Sequence, residues 1–233
     1  MSTATDSHFS NASQEFVWDD TRVPGAHRYL VPPTLNVLRE MGARTVLDLG
    51  CGNGSLSALL QSQNYLVVGC DASESGIALA RQAHPGIDFF EHDISNPLPA
   101  SVAGAFDAIV SLEVVEHLMQ PRNLVDRAYK ALRPGGVLIM STPYHGYWKN
   151  LSLALMNKFD SHWHPLRDFG HVKFFSRRTL SQLAGEAGFA VRNVQRVGRI
   201  PVFACSMILV AVKPYGIPSS SSQKNKDLPA ARH

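Results

Sequence analysis

Residues 113–117 read Glu-Val-Val-Glu-His, two carboxylates and an imidazole within five positions. If Glu113 opens a helical turn, Glu116 and His117 follow three and four residues on and share its side. Two carboxylates brought that close repel each other, and a divalent cation relieves the repulsion. His171, in the run Phe169-Gly170-His171-Val172-Lys173-Phe174-Phe175, is available as a further ligand. Mixed oxygen and imidazole donors suit Mg²⁺, Mn²⁺, Fe²⁺ or Zn²⁺, and affinity order does not choose among them. Two plainer readings stand beside the metal. One is a metal-free pocket with His117 as general base. The other is a turn whose side chains merely line or cap structure.

A second group is Val46-Leu47-Asp48-Leu49-Gly50-Cys51-Gly52-Asn53-Gly54. Glycines between a strand and a helix let the backbone turn tightly and approach a ligand. Asp71 ends the next apolar run, where a carboxylate can grip a ribose diol. Asp93, in His92-Asp93-Ile94, can meet an adenine amino group. Three strand ends thus suit one adenosine. A nicotinamide dinucleotide would want GxGxxG, whereas position 55 is Ser and the third glycine is Gly54. Asp48 adds negative charge, which suits a sulfonium cofactor with an ammonium group better than a pyrophosphate. S-adenosylmethionine (SAM) is the cofactor that fits.

A third group lies in residues 144–170, rich in Tyr, Trp and His. Trp148, Leu151, Leu155 and Phe159 repeat at helical spacing, with Lys149, Asn150, Asn157 and Lys158 on the other side. This reads as a lid over the cofactor mouth. It packs either on the protein's own core or, through residues 147–159, on a bilayer interface. His145 is a second candidate base. His162 and His164 line the acceptor cavity or face water. Lys173, Arg177 and Arg178 could receive an anionic group of the acceptor.

These groups need elements to hold them. Helical patterns span Ala26–Met41 (started or kinked by Pro32-Pro33), Ser55–Gln61, Glu74–Ala83 with Ser73 as cap, Leu124–Leu132 stopped by Pro134-Gly135-Gly136, and Thr179–Ala187. Apolar runs expected as strands are Thr45–Leu49, Tyr65–Asp71, Ile87–Phe90, Phe106–Ser111, Val137–Ser141, Val191–Val197 and Phe203–Val212. Strands alternating with helices imply an α/β fold, a mainly parallel sheet with helices on both faces, and the last two runs suit an antiparallel hairpin. In such a sheet ligands meet the C-terminal strand ends, where all three groups fall.

The residues LDLGCGNG, GCDAS, HDI, FDAIVSLEVVEHL and LRPGGVLIMSTP together resemble the class I SAM-dependent methyltransferases, over about residues 44–214. The resemblance implies a Rossmann-like sheet of seven strands, order 3-2-1-4-5-7-6 with the last antiparallel, and a glycine-loop backbone that holds the methionine portion of SAM. The expected cofactor contacts are Asp48, Gly50, Cys51, Gly52 and Gly54, then Asp71 and Ala72, then Asp93 and Ile94, then Ser111 and Leu112. Glu-x-x-Glu-His with a later His is similar to two metal-dependent groups. These are the ubiquinone-pathway O-methyltransferases and the small-RNA 3′-terminal 2′-O-methyltransferases. Carried over by position, that implies Glu113, Glu116, His117 and His171 as metal ligands, with His117, Glu113 and His145 as catalytic candidates. The run HWHPLRDFGHVKFF departs from the ubiquinone-pathway wording, which leaves a quinone acceptor open.

Composition narrows the rest. The chain has 233 residues, 45% hydrophobic and 18% charged, with a formal net charge of +3. That suits one core-bearing domain over residues 21–215, flanked by a flexible segment 1–20 and a disordered tail 216–233. It excludes coiled coils, collagen and repeat arrays. Cys51, Cys70 and Cys205 form no CxxC, which argues against disulfide or zinc-thiolate scaffolds, and a reducing cytoplasm fits. No strong basic patch favours RNA. The expectation is SAM-dependent O-methylation of a small phenolic or quinol-like hydroxyl, assisted by a divalent metal. RNA-end methylation, a metal-free enzyme and a non-catalytic SAM-binding protein are the alternatives.

Overall fold

Alternation of side chains along the strands decides which helix covers which face. In the computed structural model the described residues are 18, 20, 22–163, 166 and 170–215. His164, nearly all of segment 1–20 and the tail 216–233 lie outside them. The elements run α1 His27–Glu40, β1 Thr45–Leu49, α2 Ser55–Ser62, β2 Leu66–Asp71, α3 Glu74–Ala83, β3 Asp88–Glu91, β4 Phe106–Ser111, α4 Pro121–Ala131, β5 Leu132–Pro143, α5 Tyr147–Leu155, α6 Phe159–Trp163, α7 Arg177–Glu186, β6 Ala190–Val197 and β7 Ser206–Val212. One seven-stranded sheet has the order β3-β2-β1-β4-β5-β7-β6. Strands β1 to β5 pair in parallel, and β7 is antiparallel to both β5 and β6. This is the expected Rossmann-like topology.

Leu47, Ile109, Leu138, Met140 and Leu209 face α4 and α7. Their immediate neighbours Val46, Val110, Ile139, Ile208 and Val210 face α1 and α2. Both faces are dry, which is why these strands are apolar throughout instead of alternating with polar residues. Ser73 Oγ accepts the Gly76 N–H and caps α3, as its sequence suggests.

Two expectations fail locally. Pro134-Gly135-Gly136 does not stop α4; the helix ends at Ala131 and β5 already runs from Leu132. The ladder explains it: Gly135 N–H donates to Lys213 O (2.8 Å) and Lys213 N–H to Gly136 O (2.9 Å), so the glycines pair with the chain beyond β7. Pro32 and Pro33 neither start nor end α1 but sit inside it. There Thr34 Oγ1 donates to Leu30 O at 2.8 Å, which occupies a carbonyl near the break in the ladder. At the other end of the chain, Pro201–Phe203 is a short 3₁₀ turn and β7 begins only at Ser206. Among the described residues no helix is long and apolar enough to cross a membrane.

Candidate active site

The glycine loop leaves β1 and enters α2 with Gly50, Gly52 and Gly54 all at positive φ. Side chains are excluded there for contact reasons too. A Cβ on Gly50 would stand 2.5 Å from Val114, and one on Gly52 would stand 2.3 Å from the Trp18 indole. Gly50 and Cys51 N–H both donate to Cys70 O, at 2.8 and 3.0 Å, which ties the loop to β2. Asp71, at the end of β2, accepts from Gly52 N–H (2.8 Å) and Ser73 N–H (2.8 Å). Loop and carboxylate are therefore one rigid cradle.

The other expected cofactor residues take distinct places. Asp48 is buried and accepts from Ser57 Oγ at 2.7 Å. Burial, followed by the charge of Asp71, raises its carboxyl to about 7. Cys51 is buried and its thiol is pushed far up by that burial, so it is not a nucleophile. Ser111 is also buried and donates to Leu49 O at 2.7 Å, joining β4 to β1; Leu112 follows it, buried. Asp93 is exposed beyond β3 and accepts from Ser95 N–H at 2.8 Å, while Ile94 and Ala72 are half-buried.

After β4 the chain does not open a helical turn at Glu113. That residue has φ +57°, left-handed backbone that costs a non-glycine roughly 1–2 kcal/mol. Hydrogen bonds hold it there. Glu113 N–H donates to Ser141 Oγ (3.0 Å), and its carboxylate accepts from Ser141 Oγ (2.8 Å) and Ser206 Oγ (3.3 Å). Burial raises its carboxyl to about 7. The 3₁₀ turn Val115–His117 follows. The Glu116 carbonyl then accepts from both Val172 N–H (2.9 Å) and Lys173 N–H (3.0 Å), which pins the distant segment 170–174 beside the turn.

That clamp places His171 against His117, with ring centroids 4.9 Å apart and nearly perpendicular. Ligand atoms of Glu116, His117 and His171 all lie within 4.8 Å of one another. Glu113 does not join this group; two serines hold its carboxylate at the side. Glu116 is 0% exposed, and neither carboxylate oxygen completes a hydrogen bond, although the Thr142 hydroxyl, also buried and unpaired, stands close enough to favour its charged form. Burial, then the charge of Glu113, pushes it well above the usual carboxylate range. His117 Nδ1 lies 3.2 Å from Gly170 O. A carbonyl only accepts, so Nδ1 carries the proton and the lone pair goes to Nε2.

Two imidazoles and an orphaned buried carboxylate fit a divalent cation, since an unmet acceptor in a dry site is costly and a cation meets it. The glycine loop and Asp71 fit an adenosine-bearing ligand beside them. A methyltransferase-domain family matches residues 24–194 of the chain. The chain belongs to the class I SAM-dependent methyltransferases. It is 36% identical over 147 residues to a ubiquinone biosynthesis O-methyltransferase of Caulobacter vibrioides, covering 61% of this chain and 58% of that one. It is 32% identical over 152 residues to a probable SAM-dependent methyltransferase of Mycolicibacterium smegmatis, covering 64% and 53%. The chain thus spans little more than half the length of these two relatives. Among solved structures, a SAM-dependent methyltransferase from Mesorhizobium loti superposes with TM-score 0.59 at 22% identity, covering 76% of this chain and 96% of that one.

Aromatic side chains stack in the segments that follow and flank the trio. Phe159, Trp163 and Phe174 stack successively at 4.9 Å with tilts near 30° (31° and 32°), and His145 meets Phe174 edge-on at 5.0 Å. Burial, then the charges of Lys149, His162 and His171, drops His145 to about 4, so its imidazole is neutral at pH 7. Its Nδ1 is buried without a partner. His162 lies in α6, facing His145 with centroids 6.1 Å apart. The helical stripe expected over residues 148–159 is broken, because Asn157 at φ +51° separates α5 from α6.

Sequence reading missed Ser141, Thr142 and Ser206, polar residues buried at the functional end of otherwise apolar strands. Antiparallel pairing sets Pro143 opposite Ser206. The signal was there in the abrupt change from Val137-Leu138-Ile139-Met140 to Ser141-Thr142. Trp18 was missed as well. It packs on Gly52 and Gly76, and its N–H donates to Ser75 Oγ at 3.0 Å.

Proposed function

We propose that the methyltransferase transfers the SAM methyl group to a hydroxyl of a small phenolic or quinol-like acceptor, with a divalent cation at Glu116, His117 and His171. One observation carries the reading: a buried carboxylate without a partner stands against two imidazoles at the C-terminal end of β4, next to the glycine loop. The ubiquinone-pathway relatives support oxygen as the acceptor atom.

The residues divide the work. The glycine-loop backbone and Asp71 hold SAM, and fixing its orientation for in-line transfer contributes much of the rate. When bound, a divalent cation at the trio supplies charge that favours an ionised acceptor oxygen. A phenol with a pKa near 10 needs roughly 4 kcal/mol to ionise at pH 7. The imidazole of His145, dropped to about 4 by burial, is neutral at pH 7 and too weak a base to hold that proton; its ring can accept a hydrogen bond from the acceptor hydroxyl, and the proton passes to solvent. The stacked rings of Trp163 and Phe174 suit a flat acceptor ring. Glu113, fixed by Ser141 and Ser206, orients the strand ends behind the trio.

The metal-free reading keeps one specific support, the Gly170 carbonyl that sets His117 Nε2 as the basic nitrogen. A single experiment separates the two. Methyl transfer to a panel of catechols and simple phenols is measured before and after chelation, and again with Mg²⁺, Mn²⁺, Fe²⁺ or Zn²⁺ restored. Activity lost to chelator and regained with one cation supports the metal. Activity indifferent to chelator but lost in His117→Ala supports the base. Transfer to none of the hydroxyl acceptors refutes the proposal.

A further inference from the structure

Helix α4 carries two arginines with opposite surroundings. The Arg122 side chain is 73% exposed and pairs with Glu186 on α7. The Arg127 side chain is 12% exposed, and its guanidinium reaches the chain beyond β3. There Nε donates to Asn96 O at 2.9 Å and Nη2 to Ser95 O at 3.2 Å, while Nη1 pairs with the neighbouring Asp126. Asp126 is held in turn by Lys130 Nζ at 2.9 Å. A planar fork of donors thus grips two consecutive carbonyls that lie 32 and 31 residues earlier in the chain.

Those carbonyls do not need the guanidinium to be satisfied. Ser95 and Asn96 are exposed, so water would meet both oxygens. What the fork adds is a fixed position. The segment it holds is closed on itself. Ser95 N–H donates to Asp93 Oδ1 (2.8 Å), Asn96 N–H donates to Asp93 O (2.9 Å), and His92 Nε2 stands 3.2 Å from Asn96 O. Fixing carbonyls 95 and 96 therefore fixes the direction of the Asp93 carboxylate.

The same segment is tied to the glycine-loop cradle, because His92 N–H donates to Asp71 O at 2.8 Å. Strands β2 and β3 are paired in parallel, so Asp71 and Asp93 follow neighbouring strand ends. That suits the ribose and the base of one adenosine. At its other end α4 packs on the 3₁₀ turn Val115–His117. Arg127 thus joins the adenine side of the cleft to the helix that follows the trio.

We propose that Arg127 is a positioning residue for the adenine of SAM. It acts through the turn 93–96 and holds the Asp93 carboxylate where it accepts from the adenine amino group. Without the fork, the ligand itself must order the turn, and binding weakens accordingly. The inference rests on SAM as cofactor and on Asp93 at its base. It is independent of the acceptor hydroxyl and of the metal.

The test is calorimetric titration of the full chain with S-adenosylhomocysteine and with its purine-riboside analogue, which lacks only the amino group. Wild type should bind the adenine form about tenfold or more tightly, the size of a hydrogen bond to a charged group. Arg127→Ala should weaken S-adenosylhomocysteine about three- to tenfold and leave the analogue within about twofold, so the preference falls by the same factor. Arg127→Lys keeps a single donor group and should fall in between. Asp93→Ala should erase the preference. Adding Arg127→Ala to it should change binding by less than about twofold, since the arginine acts only through that carboxylate.

Equal weakening of both ligands in Arg127→Ala would make the arginine a structural residue and overturn the proposal. So would an Arg127→Ala variant that binds like wild type, a preference that survives Asp93→Ala, or a further loss in the double variant. Should Arg127→Ala not fold, Arg127→Lys decides, and an unchanged preference there overturns the proposal. Absence of any preference in wild type defeats Asp93 at the adenine and the proposal with it. An intact preference without methyl transfer to any hydroxyl removes only the reaction proposed above.

Discussion

Glu116→Met tests the trio without assaying turnover. The wild-type carboxyl is wholly buried, and neither oxygen has a hydrogen-bond partner. Leaving such a group unmet costs about 1–3 kcal/mol, and methionine removes it at nearly the same volume. For a domain of this size each kcal/mol moves the melting temperature by about 2–4 °C. In excess chelator, Glu116→Met should therefore melt about 2–10 °C above wild type. A cation at one hundred times its dissociation constant adds about 2.7 kcal/mol to the protein that binds it. Titrating Mn²⁺ or Zn²⁺ should raise wild type by about 5–10 °C and leave the variant nearly unmoved, so the gap between them closes or reverses. Differential scanning calorimetry reads both halves. A variant less stable than wild type in chelator would mean that Glu116 is satisfied in the folded protein. A variant that keeps the metal shift would mean that the ion binds elsewhere. Either result defeats the reasoning.

Other outcomes follow from neighbouring groups. Asp71→Ala removes the carboxylate that closes the cradle with Gly52, and calorimetric titration should show SAM binding weakened about tenfold or more. Gly52→Ala forces a Cβ onto the Trp18 indole at positive φ and should weaken SAM binding while α3 and the sheet stay folded, as read by circular dichroism. His171→Ala should abolish chelator-sensitive transfer and leave SAM affinity within about twofold; an equal loss of both would make His171 part of the cofactor site. Asp48 is raised to about 7 by burial, above its unfolded value of 3.8. Its contribution is thus complete below about pH 4 and is lost as pH rises through about 7, up to about 4 kcal/mol. Asp48→Asn should flatten that fall in thermal melts between pH 5 and 8, and parallel curves would refute the assignment.

The sheet was legible because its residues are under one kind of pressure. Strands buried on both faces read as unbroken apolar runs, so β1 and β4 are bounded in the sequence where the structure bounds them. Failure came where pairing outweighs local preference. Pro134-Gly135-Gly136 carries a strong turn signal, yet the Lys213 backbone holds it extended, and nothing near residue 134 announces a partner nearly eighty positions away. The prolines of α1 do not start the helix, because the packing of Leu30, Val31 and Leu38 against the sheet outweighs the propensity that penalises them.

The site was legible as a set of residue types and much less so as geometry. Spacing alone put Glu113 and Glu116 on one face of a helical turn. The left-handed φ of Glu113 undoes that, and its cause is Ser141 and Ser206, which belong to other strands. The two carboxylates consequently have unequal surroundings: one accepts from two hydroxyls, and the other faces two imidazoles without a completed hydrogen bond. That inequality is itself informative. A pair of acids kept only for structure would both be satisfied, because an unmet buried acceptor weakens the fold. Two serines complete bonds to Glu113, whereas Glu116 stands beside His117 and His171 with only the Thr142 hydroxyl near, the arrangement expected where the missing partner is a cation.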